Sequence, residues 1–199
     1  MRLIAGIVLT LSACFIPGRV LAQEVTDYQN RIILHEQADV SKNLFLAGWV
    51  IDNGQVYSTS NINLFGGLGY RRESWWIESM IQRQWSAGDA KLMLDNRFQA
   101  QLGPRRSLYV EVAPFLDRKA VYDMVVFEQN VWRGMNIGAE TENVHRPGKD
   151  SLGAGPRVSV PVAQVSNFKM AIALAYQLRR QETNALRFYV VFNHRDKRE

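Results

Sequence analysis

From Leu92 onward the chain keeps two separate faces: Leu92, Leu94, Phe98, Ala100 and Leu102 fall on one, interrupted by Asn96, while Met93, Asp95, Arg97, Gln99 and Gln101 fall on the other. A period of two is the period of a β-strand, whose side chains point alternately to opposite sides. The same split recurs along the chain. Ile62, Leu64, Leu68 and Tyr70 oppose Asn61, Asn63, Gly67, Gly69 and Arg71, and Leu108, Val110 and Val112 oppose Tyr109 and Glu111. Further on, Ile137, Ala139 and Thr141 oppose Asn136, Glu140 and Glu142, and Leu152, Ala154, Val158, Val160 and Val162 oppose Gly153, Arg157 and Ser159. Near the end, Phe168, Met170, Ile172, Leu174, Tyr176 and Leu178 oppose Lys169, Gln177 and Arg179, and Leu186, Phe188, Val190 and Phe192 oppose Arg187, Tyr189 and Asn193.

Between these segments stand short stretches of turn chemistry: Asp52-Asn53-Gly54, Ser86-Ala87-Gly88-Asp89, Gly103-Pro104-Arg105-Arg106 and Gln181-Glu182-Thr183. Asn-Gly suits the positive backbone angles of a tight hairpin. Consecutive hairpins make an antiparallel meander, which has to close on itself or leave open edges. Beyond Gln23 no apolar run is long enough to cross a bilayer as a helix, Met170 to Tyr176 and Phe45 to Ile51 being among the longest. Any crossing falls to strands, for which about ten residues suffice.

Which face looks inward separates two kinds of barrel. A soluble carrier buries its apolar face, whereas a membrane barrel turns that face to lipid and fills its interior with polar groups. The second face carries Glu78, Asp95, Arg97, Glu111, Glu140, Arg157, Lys169 and Arg187, a recurring set of mixed sign that we read as an interior ion-pair network. Trp49, Trp75, Trp76, Trp85 and Trp132, with Tyr70, Tyr109 and Tyr176, fall mostly toward segment ends, as an interfacial aromatic girdle does.

Over Leu44 to His194 this pattern resembles the outer-membrane β-barrel proteins of Gram-negative bacteria as a class. The resemblance implies an all-β, closed, up-and-down transmembrane barrel in the cell envelope, inserted by the barrel assembly machinery and in contact with outer-membrane lipid, including lipopolysaccharide. About ten strands are predicted, with eight and twelve as alternatives, because Tyr28 to Val40 and Val121 to Trp132 fit strand, helix or loop. Many proteins of the class end on an aromatic residue; here Phe188 and Phe192 are followed by His194-Arg195-Asp196-Lys197-Arg198-Glu199.

The beginning of the chain agrees with export. Arg2, the apolar run Leu3 to Ile16 and Val20-Leu21-Ala22 before Gln23 form the three parts of a cleaved secretory signal. The alternative is a lipoprotein box, Leu11-Ser12-Ala13-Cys14, opposed by the apolar Phe15 and Ile16 directly after the cysteine. The expected organisation is a leader over 1–22, a lead-in over 23–43, the barrel over 44–194 and a polar tail over 195–199. Cys14 is the only cysteine, so a chain starting at Gln23 has no disulfide and no cysteine metal site. Without Arg2 and Arg19 it carries 22 basic and 19 acidic residues, too even a balance to indicate nucleic acid.

Candidate chemistry is sparse. His35, His145 and His194 have no second histidine or cysteine at ligand spacing, so neither a metal nor another cofactor is expected. Small barrels that deacylate lipid A carry a His-x-Ser motif, and His35-Glu36-Gln37, His145-Arg146-Pro147 and His194-Arg195-Asp196 depart from it. Glu140 with Glu142, or Glu111 with Asp95, are conceivable catalytic pairs, but arginines on the same face make them ion-pair members first. Gly66, Gly67 and Gly69 precede no helix, and Gly67 and Gly69, which share a strand face, suit close packing beside large interior side chains such as Trp76 or Arg97. Pro156 and Pro161 imply a bulge, a strand end or an unpaired position, and Asn143 to Ser151 is the expected long loop.

No enzyme is expected. The first expectation is a structural or surface-interaction barrel with a filled interior; the alternative is a narrow, porin-like channel for a small hydrophilic solute. A lipid-modifying enzyme and a soluble periplasmic lipid carrier are further alternatives. The two orientations of the faces part in one measurement. Protein from a washed outer-membrane fraction is expected to change gel mobility when boiled in detergent, whereas recovery from the soluble periplasm would reverse the faces.

Overall fold

A computed structural model describes residues 27–55, 58–85, 90–180 and 182–196. The leader and Cys14, and the turns at 86–89 and 181, lie outside the described residues. Eleven strands follow in order: β1 (Asp27–Asp39), β2 (Leu44–Gln55), β3 (Ser58–Arg71), β4 (Trp75–Trp85), β5 (Ala90–Gln101), β6 (Arg106–Pro114), β7 (Val121–Trp132), β8 (Met135–His145), β9 (Ser151–Val165), β10 (Phe168–Arg180) and β11 (Ala185–Asp196). Each pairs antiparallel with the next, and β1 pairs with β11 to close the barrel. No helix occurs among the described residues.

The strand number is eleven, where about ten was expected, and its parity decides how the barrel closes. In an up-and-down meander of odd number the first and last strands point the same way. β1 and β11 accordingly pair in parallel, from Asp27↔Ala185 to Ala38↔Asp196. The strand missing from the expected count is β1. It lies in the expected lead-in over 23–43, where Tyr28 to Val40 fits strand, helix or loop by pattern and the pairing with β2 and β11 makes it a strand. The polar end needs correction as well: β11 runs to Asp196, because Arg195 and Asp196 pair with Gln37 and Ala38.

Two turns move for a related reason. Asp52-Asn53-Gly54 lies inside β2, where the pairing with β3 shifts register between Asn53 and Gln55. Asn-Gly serves here at a bulge rather than at a hairpin tip. The loop expected over Asn143 to Ser151 shrinks to 146–150, because β8 continues to His145 and β9 begins at Ser151. On β9, Pro161 pairs with Ala171 and Ala163 with Met170, which leaves Val162 as an extra residue beside a proline that has no N–H to donate.

One rim holds the start of β1 and the loops 115–120, 146–150 and 182–184; the other holds the turns 40–43, 72–74, 102–105, 133–134 and 166–167 and the end of β11. Between the rims the apolar face of the strands is outside. Leu46, Leu68, Ile77, Ile81, Leu174 and Phe188 are all exposed, Leu68 to 62%. Inside, Phe45, Ala47, Trp49, Phe65 and Met80 pack into one cluster and Ala173, Ala175 and Tyr189 into another, with Ile33 against both.

Glycine spacing makes room for the first cluster. A Cβ on Gly69 would lie 2.1 Å from Phe45 Cζ, and one on Gly67 2.1 Å from the Ser79 carbonyl oxygen. On the outer face, Gly66 has nothing within 4 Å of that position. Gly69→Ala is expected to cost about 1–3 kcal/mol by overpacking and Gly66→Ala less than about 0.5 kcal/mol, compared as urea unfolding midpoints in lipid vesicles.

Candidate functional site

The alternation that sends leucines outward sends charge to the lumen, where each group must find a partner near its own height in the barrel. Glu78, on β4, is wholly buried. Its Oε1 is 2.9 Å from His35 Nε2 and accepts from Gln37 Nε2 at 2.8 Å, and its Oε2 accepts from Trp49 Nε1 at 2.8 Å. The His35 ring stacks on Trp49 with centroids 3.8 Å apart, and its Nδ1 lies 3.1 Å from Asn193 Oδ1. This contact spans the parallel seam, so β1 and β11 are joined by side chains as well as by backbone.

Next to it, Arg97 donates from Nε to Asp95 Oδ1 at 2.7 Å and from Nη2 to Glu111 Oε1 at 3.5 Å. Its guanidinium lies over Trp49 and Phe65, 4.0 and 4.3 Å from the ring centroids. Tyr109 donates its hydroxyl to Glu111 Oε2 at 2.7 Å. A planar cation with five donors can serve two carboxylates and still offer its faces to aromatic rings, which a lysine cannot do.

The opposite wall centres on Glu140. Its Oε1 accepts from Gln177 Nε2 and the Tyr189 hydroxyl, each at 2.8 Å, and its Oε2 from Arg157 Nη1 at 2.8 Å. Arg157 also reaches Glu128 at 2.9 Å. Arg31 donates to Glu142 Oε1 at 2.9 Å, and Arg187 bonds Glu142 and donates from Nε to Gln29 Oε1 at 2.8 Å.

Of the eight charged residues assigned to the interior, Glu78, Asp95, Arg97, Glu111, Glu140, Arg157 and Arg187 stand in these two walls. Lys169 does not join them. It is exposed at the second rim and makes no hydrogen bond or ion pair among the described residues. Glu140 and Glu142 are held by Arg157, Arg31 and Arg187, and Arg97 lies between Asp95 and Glu111. No group of three metal-ligating side chains occurs among the described residues.

The aromatic girdle needs correction at two positions. Trp75, Trp85 and Trp132 lie on the outer face at strand ends, Trp75 against Tyr70 and Phe98. Trp49 and Trp76 line the lumen. Trp76 follows Trp75 in one strand, so the pleat must turn one of the pair inward. Position along a segment gives a tryptophan's height and says nothing about its face. Sequence reading also missed His35 as a lumen residue, because β1 was not counted as a strand; the alternation of His35 and Gln37 with Leu34 and Glu36 was the available signal.

Between the walls lies a cavity of about 870 Å³. Asn53, Gln84 and Lys91 line it near the first rim, and Gln99, Ser107, Gln164 and Lys169 near the second. A shallower cleft of about 500 Å³ sits on the first rim, between Arg118-Lys119-Ala120 and His145-Arg146-Pro147.

No protein-family profile matches the chain. No curated protein matches it either. Among solved structures it is similar to the KdgM porin, with 14% identity over 75% of this chain and 85% of that one and a TM-score of 0.54. At that identity the likeness is one of fold. It agrees with the resemblance of the sequence pattern to the outer-membrane β-barrel class.

Arg97→Ala would leave Asp95 and Glu111 in the wall without their cation, and a loss of about 3–5 kcal/mol in unfolding free energy is expected. Lys169→Ala, which breaks no pair, is expected to cost less than about 0.5 kcal/mol. Equilibrium urea unfolding of the two variants in lipid vesicles checks both values.

Proposed function

We propose that this chain is a narrow channel in the bacterial outer membrane for small hydrophilic solutes. The observation that carries the proposal is the cavity of about 870 Å³, whose lining reaches from one rim to the other. It offers room for roughly thirty waters at their liquid volume. The ion pairs make up the walls and leave this space between them, which favours a channel over a barrel filled by its own network. Likeness in fold to a porin supports the same choice.

The direction of the faces supports placement in the membrane. A barrel that exposes Leu46, Leu68, Ile77, Ile81 and Leu174 while enclosing Glu78, Asp95, Arg97 and Arg187 is stable only where its outside meets hydrocarbon. The segment read as a secretory signal directs the chain to the envelope. Outer-membrane lipid, lipopolysaccharide included, is the partner of the outer belt, and the barrel assembly machinery inserts it. Permeation here needs no catalytic group: the walls replace part of a solute's hydration with amide, hydroxyl and charged side chains.

The purified protein, with its fold confirmed by heat-modifiable gel migration, is expected to give discrete conductance steps in a planar bilayer. Folded protein that inserts and carries no current at any voltage would return the interior to the filled, structural reading.

A further inference from the structure

The charges around the cavity are unequal, and their pairing is unequal in the same sense. Arg31, Lys91, Arg97, Arg157, Lys169 and Arg195 line it, against the carboxylates Glu111, Glu128 and Glu142. Adding the enclosed groups behind the lining, Arg187 against Glu78, Asp95 and Glu140, reduces the excess to one positive charge and does not reverse it. Each lining carboxylate is occupied: Glu111 by Tyr109 and Arg97, Glu128 by Arg157, Glu142 by Arg31 and Arg187. The lining arginines are paired too, Arg31 with Glu142, Arg97 with Asp95, Arg157 with Glu140 and Arg195 with Asp39, which leaves the two lysines as the unpaired charges of the lining among the described residues.

Two cations stand at opposite mouths. Lys91 opens β5 at the first rim and Lys169 opens β10 at the second. Neither makes an ion pair among the described residues. Lys91 feels Asp117, which is itself 2.8 Å from Arg118. A permeating cation would meet no free carboxylate on the lining, whereas an anion meets an unpaired ammonium at each mouth. A narrow lumen in a low-dielectric surround strengthens such a bias relative to an open surface.

Resting on the channel reading above, we infer that the lumen selects small anions of one or two charges, and that Lys91 and Lys169 set this selectivity at the two mouths. Both side chains lie outside the buried ion-pair walls, so their replacement leaves the network that holds the barrel intact.

The test is the zero-current potential of the full chain in planar bilayers under a roughly tenfold KCl gradient at low ionic strength, where screening is weakest. Wild-type channels are expected to pass chloride at least about threefold more readily than potassium, and the double variant K91E/K169E to lose at least about threefold in that ratio. The neutral pair K91Q/K169Q is expected to fall between them. Heat-modifiable migration confirms the fold of each variant, and the wild-type sign stands even if a variant fails to fold. Conducting channels that prefer potassium, or folded variants with an unchanged zero-current potential, would overturn the anion inference and leave the channel standing. Folded protein with no current would overturn both.

Discussion

A sheet with an open edge leaves a row of N–H and C=O groups unpaired, and closing the sheet on itself removes both edges. Everything else in this barrel follows from that demand for closure. Eleven strands meet it through the pairing of β1 with β11, the one parallel pair in a sheet of antiparallel neighbours. Parallel pairs are slightly less stable per residue. This one is long, and side chains reinforce it: Asn193 meets His35, Glu36 meets His194 and Gln29 accepts from Arg187.

Closure with the apolar face outward puts charge in a confined interior, and arginine resolves the difficulty. Arg97, Arg157 and Arg187 each serve more than one acceptor, and Arg97 adds contact with the faces of Trp49 and Phe65. The carboxylates are in turn shared with neutral donors: Trp49 and Gln37 on Glu78, Tyr109 on Glu111, Gln177 and Tyr189 on Glu140. Removing a single member therefore exposes several groups to an unpaired state, while surplus cations at the mouths can change without touching the walls.

Packing inside is uneven around the circumference. Large rings on β2 and β3 fit because Gly67 and Gly69 leave no side chain where Met80 and Phe45 lie, and on β10 Ala173 and Ala175 keep the wall thin beside Tyr189. The space left over is the cavity between the two walls. Its polar lining and the placement of its charges come from the same inward positions that hold the barrel together.

Local order was present in the amino-acid pattern. The period of two in Leu92 to Leu102 or Phe168 to Leu178 identified strands, and the repeat of Glu78, Asp95, Arg97, Glu140 and Arg187 on one side identified a polar face, because side-chain alternation is a property of each strand alone. Closure was not legible there. Whether Asp27–Asp39 joins the sheet, whether the count is odd, and which strand meets β11 depend on register between segments that are distant in sequence. For the same reason Trp49 and Trp76 could be given a height and not a side, and Lys169 could be placed on the polar face without showing that no carboxylate reaches it. The sequence by itself determined which residues share a face; only the tertiary structure decided which faces meet, since a pairing across the barrel forms between side chains that no local periodicity relates.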